Sequence, residues 1–258
     1  MASLTTPAII LRRVEYGDYD LILTFLSLER GKLSAIAKTA RKSTRRFGGI
    51  LELFSNIDIV CSTSRRNGLL VLQEAVLKNA CSEIRADIMR TAYASYWVEL
   101  IDTSSEEGQK QPELYRLLQF TLCQLDQKRI SPEALSVLFQ LRLLLLSGYR
   151  PNLRNCRQCQ RTVGEGDFTE FQFDLAHGGL LCQQCMVTRS ERLILSKSTL
   201  KQLHWIESGG LYKAGRVRLS GVAIRESLRM LEAFVPYQLG KEPRSLKFLQ
   251  QIRGTTAC

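Results

Sequence analysis

Residues 8–37, AIILRRVEYGDYDLILTFLSLERGKLSAIA, decide the fold. Their apolar and β-branched residues fall in short runs, broken first by Gly17 and Asp18 and then by Gly31. That punctuation predicts strands over 8–14, 20–27 and 31–37. Two further runs, 52–61 and 68–76, read the same way. Five short strands in the first eighty residues predict a small barrel or sandwich. Residues 38–49, KTARKSTRRFGG, fit neither the strand nor the helix period and read as a long charged connection between the third and fourth strands. An open five-stranded barrel with such a loop is one form of the OB architecture. Phe25 and Phe54 are assigned to its core.

That loop carries the densest charge in the chain. From Arg30 to Leu51 there is no acid, whereas Lys38, Arg41, Lys42, Arg45 and Arg46 crowd into nine residues. Like charges so close repel unless an anion joins them, although a solvated loop aiding solubility is the plainer alternative. The whole chain has 36 Lys and Arg against 25 Asp and Glu, net +11, so nucleic acid is the first expected partner and an anionic membrane surface the second. Residues 1–80 are net +5, 81–155 neutral and 156–258 net +6, which takes the middle of the chain out of contention as a polyanion face. Tyr16, Tyr19 and Phe47 lie near the basic segment, and Phe47, beside Arg45 and Arg46, is the expected base-stacking ring.

Beyond residue 81 the period becomes helical. Ile84, Ile88, Ala92, Tyr96 and Leu100 step by four, predicting one helix from about 82. Pro112 opens a second helix, and Ser131-Pro132-Glu133 caps a third, whose leucines at 141 and 143–146 surround it and mark it as the centre of a bundle. Later apolar steps predict a helix ending at Gly209, another capped by Ser220 and closed by Pro236, and a final short turn through Leu246, Leu249 and Ile252.

Two C-x2-C pairs, Cys156 with Cys159 and Cys182 with Cys185, enclose 22 residues. Four thiolates complete a tetrahedral shell for one structural Zn2+ and leave no open position for catalysis. Between them Phe171, Phe173 and Leu175 alternate with polar residues, and Gly178-Gly179 turns the chain, so residues 154–188 read as a zinc ribbon inserted in a helical domain of 81–258, behind an OB-fold domain of 1–80. Redox pairs of thioredoxin type would need a βαβ setting that is missing, and His177 is a weaker ligand candidate. Cys61, Cys81, Cys123 and Cys258 are scattered; three of them sit in apolar runs and read as core residues.

No phosphate-cradling loop of Walker or dinucleotide type is present, and neither His177 nor His204 has a metal-protease partner. Asp18 and Asp20 could hold Mg2+ in a nuclease, but no second carboxylate cluster supports them. The reading is therefore of a chain without catalytic residues, with a metal-dependent nuclease or a zinc-ribbon transcription or adaptor protein as the alternatives. The opening MASLTTPAIILRR lacks the basic segment of a secretory signal, and no apolar run reaches membrane-spanning length, so the expected address is the cytoplasm.

The order of GDYDLILTFLSLERGKLSAIAKTARK (17–42), LELF (51–54), FQLRLLLLSGYRPNLRNC (139–156) and the cysteine ribbon resembles the bacterial RecO family of recombination mediators and DNA repair proteins. The resemblance implies a non-enzymatic protein that binds single- and double-stranded DNA, anneals complementary strands, and works with RecR to load RecA on DNA coated by single-stranded DNA-binding protein. It implies a DNA contact at Lys38, Arg41, Lys42, Arg45 and Arg46, and a groove for the acidic tail of single-stranded DNA-binding protein near Phe139, Arg142 and Tyr149. Thr39 stands where the family pattern has glycine.

Overall fold

The computed structural model describes residues 3–63, 69–165, 167–186 and 193–256, so Gly68, Cys258 and the ribbon's expected last two residues, 187–188, lie outside the described residues. The chain divides into two compact units, residues 1–128 with 251–258 and residues 129–250.

In the first unit β1 (Ser3–Tyr16), β2 (Asp20–Ser27), β3 (Gly31–Ala37), β4 (Asn56–Thr63) and β5 (Leu70–Asn79) close a barrel in the order β1-β2-β3-β5-β4. β3 and β5 pair in parallel through Ala35–Leu70 and Ile36–Val71, and the remaining pairings are antiparallel. This is the OB-like closure that the strand count predicted. Period-two burial in β2 and β3 turns Leu21, Leu23, Phe25, Leu33, Ala35 and Ala37 inward to meet Ala8, Ile10, Ile57, Ile59, Cys61 and Leu72. β1 serves two neighbours, β4 through its first half and β2 through its second, and its register slips between Ile10 and Arg12. Such a bulge bends a strand around a barrel. Ile9, Leu11 and Leu26 lie outside that core yet are buried, because α3 (Ile88–Ser104) packs on β1 and α4 (Pro112–Asp126) on β2.

Three expectations change here. The fourth strand starts at Asn56, not at residue 52: Phe54 takes a left-handed φ of 70°, donates its N–H to the Ile10 carbonyl, and leaves Ser55 to accept from Ile10, so 52–55 is a turn against the β1 bulge. Phe54 is still buried, as is Phe25. The helix expected from 82 is two helices, α2 (Ser82–Arg85) and α3, because the Asp87 carboxylate accepts from the Arg90 N–H at 3.0 Å and starts a new N-terminus. The basic connection is not wholly irregular, since Thr44–Phe47 forms one helical turn, α1.

The second unit opens with α5 (Pro132–Leu146), capped by the Ser131 hydroxyl and buried on most sides, as its leucines required. A four-stranded sheet follows, β6 (Asn152–Cys156), β7 (Glu170–Asp174), β8 (Gly179–Cys182) and β9 (Ile194–Ser196), in the order β6-β8-β7-β9. The β7–β8 hairpin turns at Gly178, whose φ of +61° and Cβ position 3.0 Å from the Phe234 ring leave no room for a side chain. Then come α6 (Lys197–Ser208), α7 (Leu211–Ala214) and α8 (Gly221–Leu239), and then α9 (Arg244–Thr256), whose residues from Gln251 on belong to the first unit. Pro236 does not end α8, which runs through it to a left-handed Gly240. Proline removes one helical hydrogen bond, and the burial of Phe234 and Val235 beside it holds the turn together. The residues expected to make a final short turn form the thirteen-residue α9. Among the described residues no helix is long and apolar enough to cross a membrane.

Gly31 shows how tightly the barrel fits its helices. Its φ is +65°, and a Cβ there would lie 1.7 Å from the Gln109 carbonyl oxygen. Gly31→Ala is expected to lower the unfolding free energy by more than about 1 kcal/mol, read from urea unfolding, since both backbone strain and the collision act together.

Candidate nucleic-acid interface and metal centre

The basic segment is a shaped surface built on the β1–β2 turn. Thr39 adopts φ +54°, the left-handed conformation that glycine would supply. For a β-branched residue this costs about 1–2 kcal/mol. The Asp20 carboxylate accepts the Thr39 N–H at 2.7 Å, and a hydrogen bond to a charged group returns about 1.5–3 kcal/mol. The bond thus offsets the strain. Arg41 donates to the Asp18 carbonyl at 3.1 Å and pairs with Glu15 at 3.2 Å, while the Lys42 ammonium sits 3.7 Å from the centre of the Tyr19 ring. Arg46 donates to the Gln73 carbonyl of β5 at 2.8 Å. Lys38, Arg41, Lys42, Arg45 and Arg46 all remain exposed, held by contacts to the β1–β2 turn and to β5.

Phe47 corrects the expectation of a stacking ring. It is 4% exposed and belongs to the barrel core with Leu51 and Leu72, and the Arg46 guanidinium lies 4.6 Å from its centroid. A buried ring offers no face to a base. Its place directly after Arg45 and Arg46 concealed this, because local sequence cannot show that α1 turns Phe47 inward. The exposed rings beside the cations are Tyr16 and Tyr19. The Asp20 carboxylate is engaged by Thr39, Asp18 contributes its backbone carbonyl to Arg41, and among the described residues the cysteine group is the one cluster of three or more candidate metal ligands.

The four ribbon cysteines converge. Cys156 ends β6, Cys182 ends β8, and all four sulfurs lie within 4.8 Å of one another, with Cys159 Sγ and Cys182 Sγ 3.7 Å apart. A tetrahedron with arms of about 2.3 Å has edges of about 3.8 Å, so the donor set fits a thiolate-bound metal of zinc's size. Backbone turns prepare it. Gln160 N–H donates to the Cys156 carbonyl, Cys185 N–H to the Cys182 carbonyl, and Cys182 N–H to the Cys156 sulfur. Burial pushes the Cys156 thiol up, but backbone N–H groups of Cys159, Cys182 and Gln158 outweigh it and bring it down to about 6. Burial and then the neighbouring sulfurs push Cys185 up to about 12. Four thiolates this close need a cation to ionise together, which a bound metal provides. His177 is outside the cluster, its ring nitrogen 2.8 Å from Asp174. Cys61 and Cys81 are buried core residues and Cys123 is half-buried.

The three residues expected to line a groove, Phe139, Arg142 and Tyr149, differ in exposure. Phe139 is fully buried in α5, and Arg142 is half-buried with its guanidinium donating to the Gly209 carbonyl at the end of α6. Burial lowers the Arg142 pKa, against the pull of Glu207. Only Tyr149 is open to solvent.

With this geometry in hand, residues 1–80 match the recombination protein O N-terminal domain and residues 85–247 the recombination protein O C-terminal domain. The chain belongs to the recombination protein O family. It is 43% identical over 254 residues to the DNA repair protein RecO of Desulfatibacillum aliphaticivorans, covering 98% of each chain. It is 40% identical to that of Desulfosudis oleivorans, covering 98% of this chain and 99% of the relative, and 32% identical to that of Myxococcus xanthus, covering 95% and 96%. Membership places the chain among recombination and DNA repair proteins.

Two expected outcomes follow from the geometry. Phe47→Ala should destabilise the protein by about 3–5 kcal/mol in urea unfolding, as for any large core ring; a variant of native stability would put the ring outside the core. Cys182→Ser should reduce bound metal, measured by elemental analysis, from about one ion per chain towards zero and lower the melting temperature. Unchanged values on both counts would remove the metal site.

Proposed function

We propose that the protein is a non-enzymatic DNA-binding recombination mediator, acting in the cytoplasm at the nucleoid, whose main DNA contact is the cationic surface from Lys38 to Arg46. The observation that carries the reading is the display of five exposed cations on a fixed loop of an OB-like barrel, in a chain of this family. In this reading phosphates of single- or double-stranded DNA replace water around the cations, and no base edge is read. Tyr16 and Tyr19 are the rings available to an unstacked base. The weak, sequence-independent grip suits a protein that anneals complementary strands. Action with RecR, loading of RecA, and contact with the tail of single-stranded DNA-binding protein belong to the same proposal, without residues assigned to them. Structural Zn2+ at Cys156, Cys159, Cys182 and Cys185 completes it; four thiolates favour that ion and leave no place for water or substrate. The division into an OB-fold domain of 1–80 and a helical domain of 81–258 carrying the ribbon is also proposed.

The test is the salt dependence of oligonucleotide binding. Arg41 already neutralises Glu15, so Lys38, Lys42, Arg45 and Arg46 are the cations freest to take phosphates. Replacing these four by alanine should flatten the single-strand salt slope by about 2.8, equivalent to about fiftyfold in affinity between about 50 and 200 mM salt. The variant should fold normally. An unchanged slope in the folded variant would move the DNA contact away from this loop.

A further inference from the structure

The second unit carries a basic surface that the barrel loop does not explain. Between α6 and α7 lies an open groove of about 650 Å3, lined by Lys201, Gln202, Trp205, Lys213, Arg216 and Val217. Lys201 and Trp205 are one helical turn apart on α6, and the Lys213 side arrives from α7, anchored by the buried Ala214. Gln202 accepts the Ser220 N–H at 3.0 Å and so fixes α6 to the start of α8. The groove is thus a built feature of packed helices.

Its chemistry is unusual for an idle surface. Trp205 is 61% exposed and Tyr212, beside Lys213, 77%. Among the described residues Lys201, Lys213 and Arg216 enter no ion pair: the acid on α6, Glu207, has a side chain only 4% exposed and is taken by Arg150, Arg154 and His204. Three unneutralised cations therefore surround an open indole face. A peptide anchored by an apolar end would need an enclosed hole for that end, whereas an exposed ring flanked by cations matches a strand whose bases stack while its phosphates take the charge.

We infer that the α6–α7 groove is a second single-stranded nucleic-acid site, in which a base stacks on Trp205 and the flanking phosphates bind Lys201, Lys213 and Arg216. The inference rests on the proposed DNA-binding function and adds to it a contact on the other unit of the chain.

The protein supplies its own probe. Of its two tryptophans, Trp97 is fully buried and Trp205 exposed, so solvent-exposed indole emission reports Trp205. Full-length protein is titrated with oligothymidylate, both as wild type and with Lys38, Lys42, Arg45 and Arg46 changed to alanine. The expected result is quenching of the exposed emission in both proteins. In the loop-substituted background Trp205→Ala should weaken binding by roughly 5- to 150-fold, the range for one stacked base, with partial recovery in Trp205→Phe. Changing Lys201, Lys213 and Arg216 to alanine in that background should flatten the salt slope by about 2.1. Because the Trp205 side chain is exposed, these variants should melt with their parent.

Oligothymidylate binding, followed by anisotropy, that leaves Trp205 emission unchanged would overturn the inference, as would unaltered affinity of Trp205→Ala. A response to an acidic peptide with an apolar end, but not to oligothymidylate, would make the groove a peptide site and overturn it too. The loop reading fails separately, if the loop substitutions leave the salt slope intact while Trp205 is still quenched. Wild-type protein that binds no oligonucleotide at all would remove both.

Discussion

Five cations within nine residues repel one another, and the burial of Phe47 in the barrel core is what holds them on one surface. Two unit charges about 4 Å apart in water oppose each other by about 1 kcal/mol, and salt screens them further. Burying a phenylalanine contributes about 1.5–3 kcal/mol, and Thr39, Arg41 and Arg46 add hydrogen bonds to the β1–β2 turn and β5. The loop is therefore ordered by apolar packing beneath it and by polar contacts at its edges, while among the described residues only Arg41 of its five cations is ion-paired. The arrangement depends in turn on barrel closure, because Phe47 finds its partners in Ala37, Leu51 and Leu72 only when β3 meets β5.

The ribbon solves a different problem. Its strands are only three to five residues long, too short to bury much of their own surface. Packing of Phe173 edge-on against Phe234, ring centres 5.0 Å apart, ties one face to α8. Four sulfurs, on Cys156, Cys159, Cys182 and Cys185, form a donor set with the spacing of a metal site where a hydrophobic core would be small. The backbone N–H groups that point at Cys156 favour its thiolate before any metal arrives, which lowers the proton cost of binding.

Charge is distributed to match these two scaffolds. The neutral stretch 81–155 supplies α3 and α4 to the first unit and α5 to the second, each with a buried face inside its own unit. The excess lysine and arginine lies before and after it, on the barrel loop and around the α6–α7 groove. In both places cations are set beside exposed aromatic rings, Tyr19 with Lys42 in one and Trp205 with Lys201 and Lys213 in the other. The same physical pairing, a cation beside an exposed ring, thus recurs on unrelated backbones.

The sequence by itself determined the local features. Alternating apolar residues specified β2 and β3, Ser131 and Ser220 specified helix starts, and the C-x2-C spacing specified a pair of turns whose sulfurs form a donor set for a metal. Each depends on neighbours a few residues away, so periodicity and residue type suffice. Tertiary structure decided what depends on distant partners. Phe47 points inward because a barrel closes around it, Phe139 is lost to the core because α8 and α6 pack on α5, and Pro236 stays helical because its neighbours are buried. Trp205 is exposed for the converse reason: among the described residues no element covers its indole, and no local pattern in a sequence records which side chains the rest of the chain will leave uncovered.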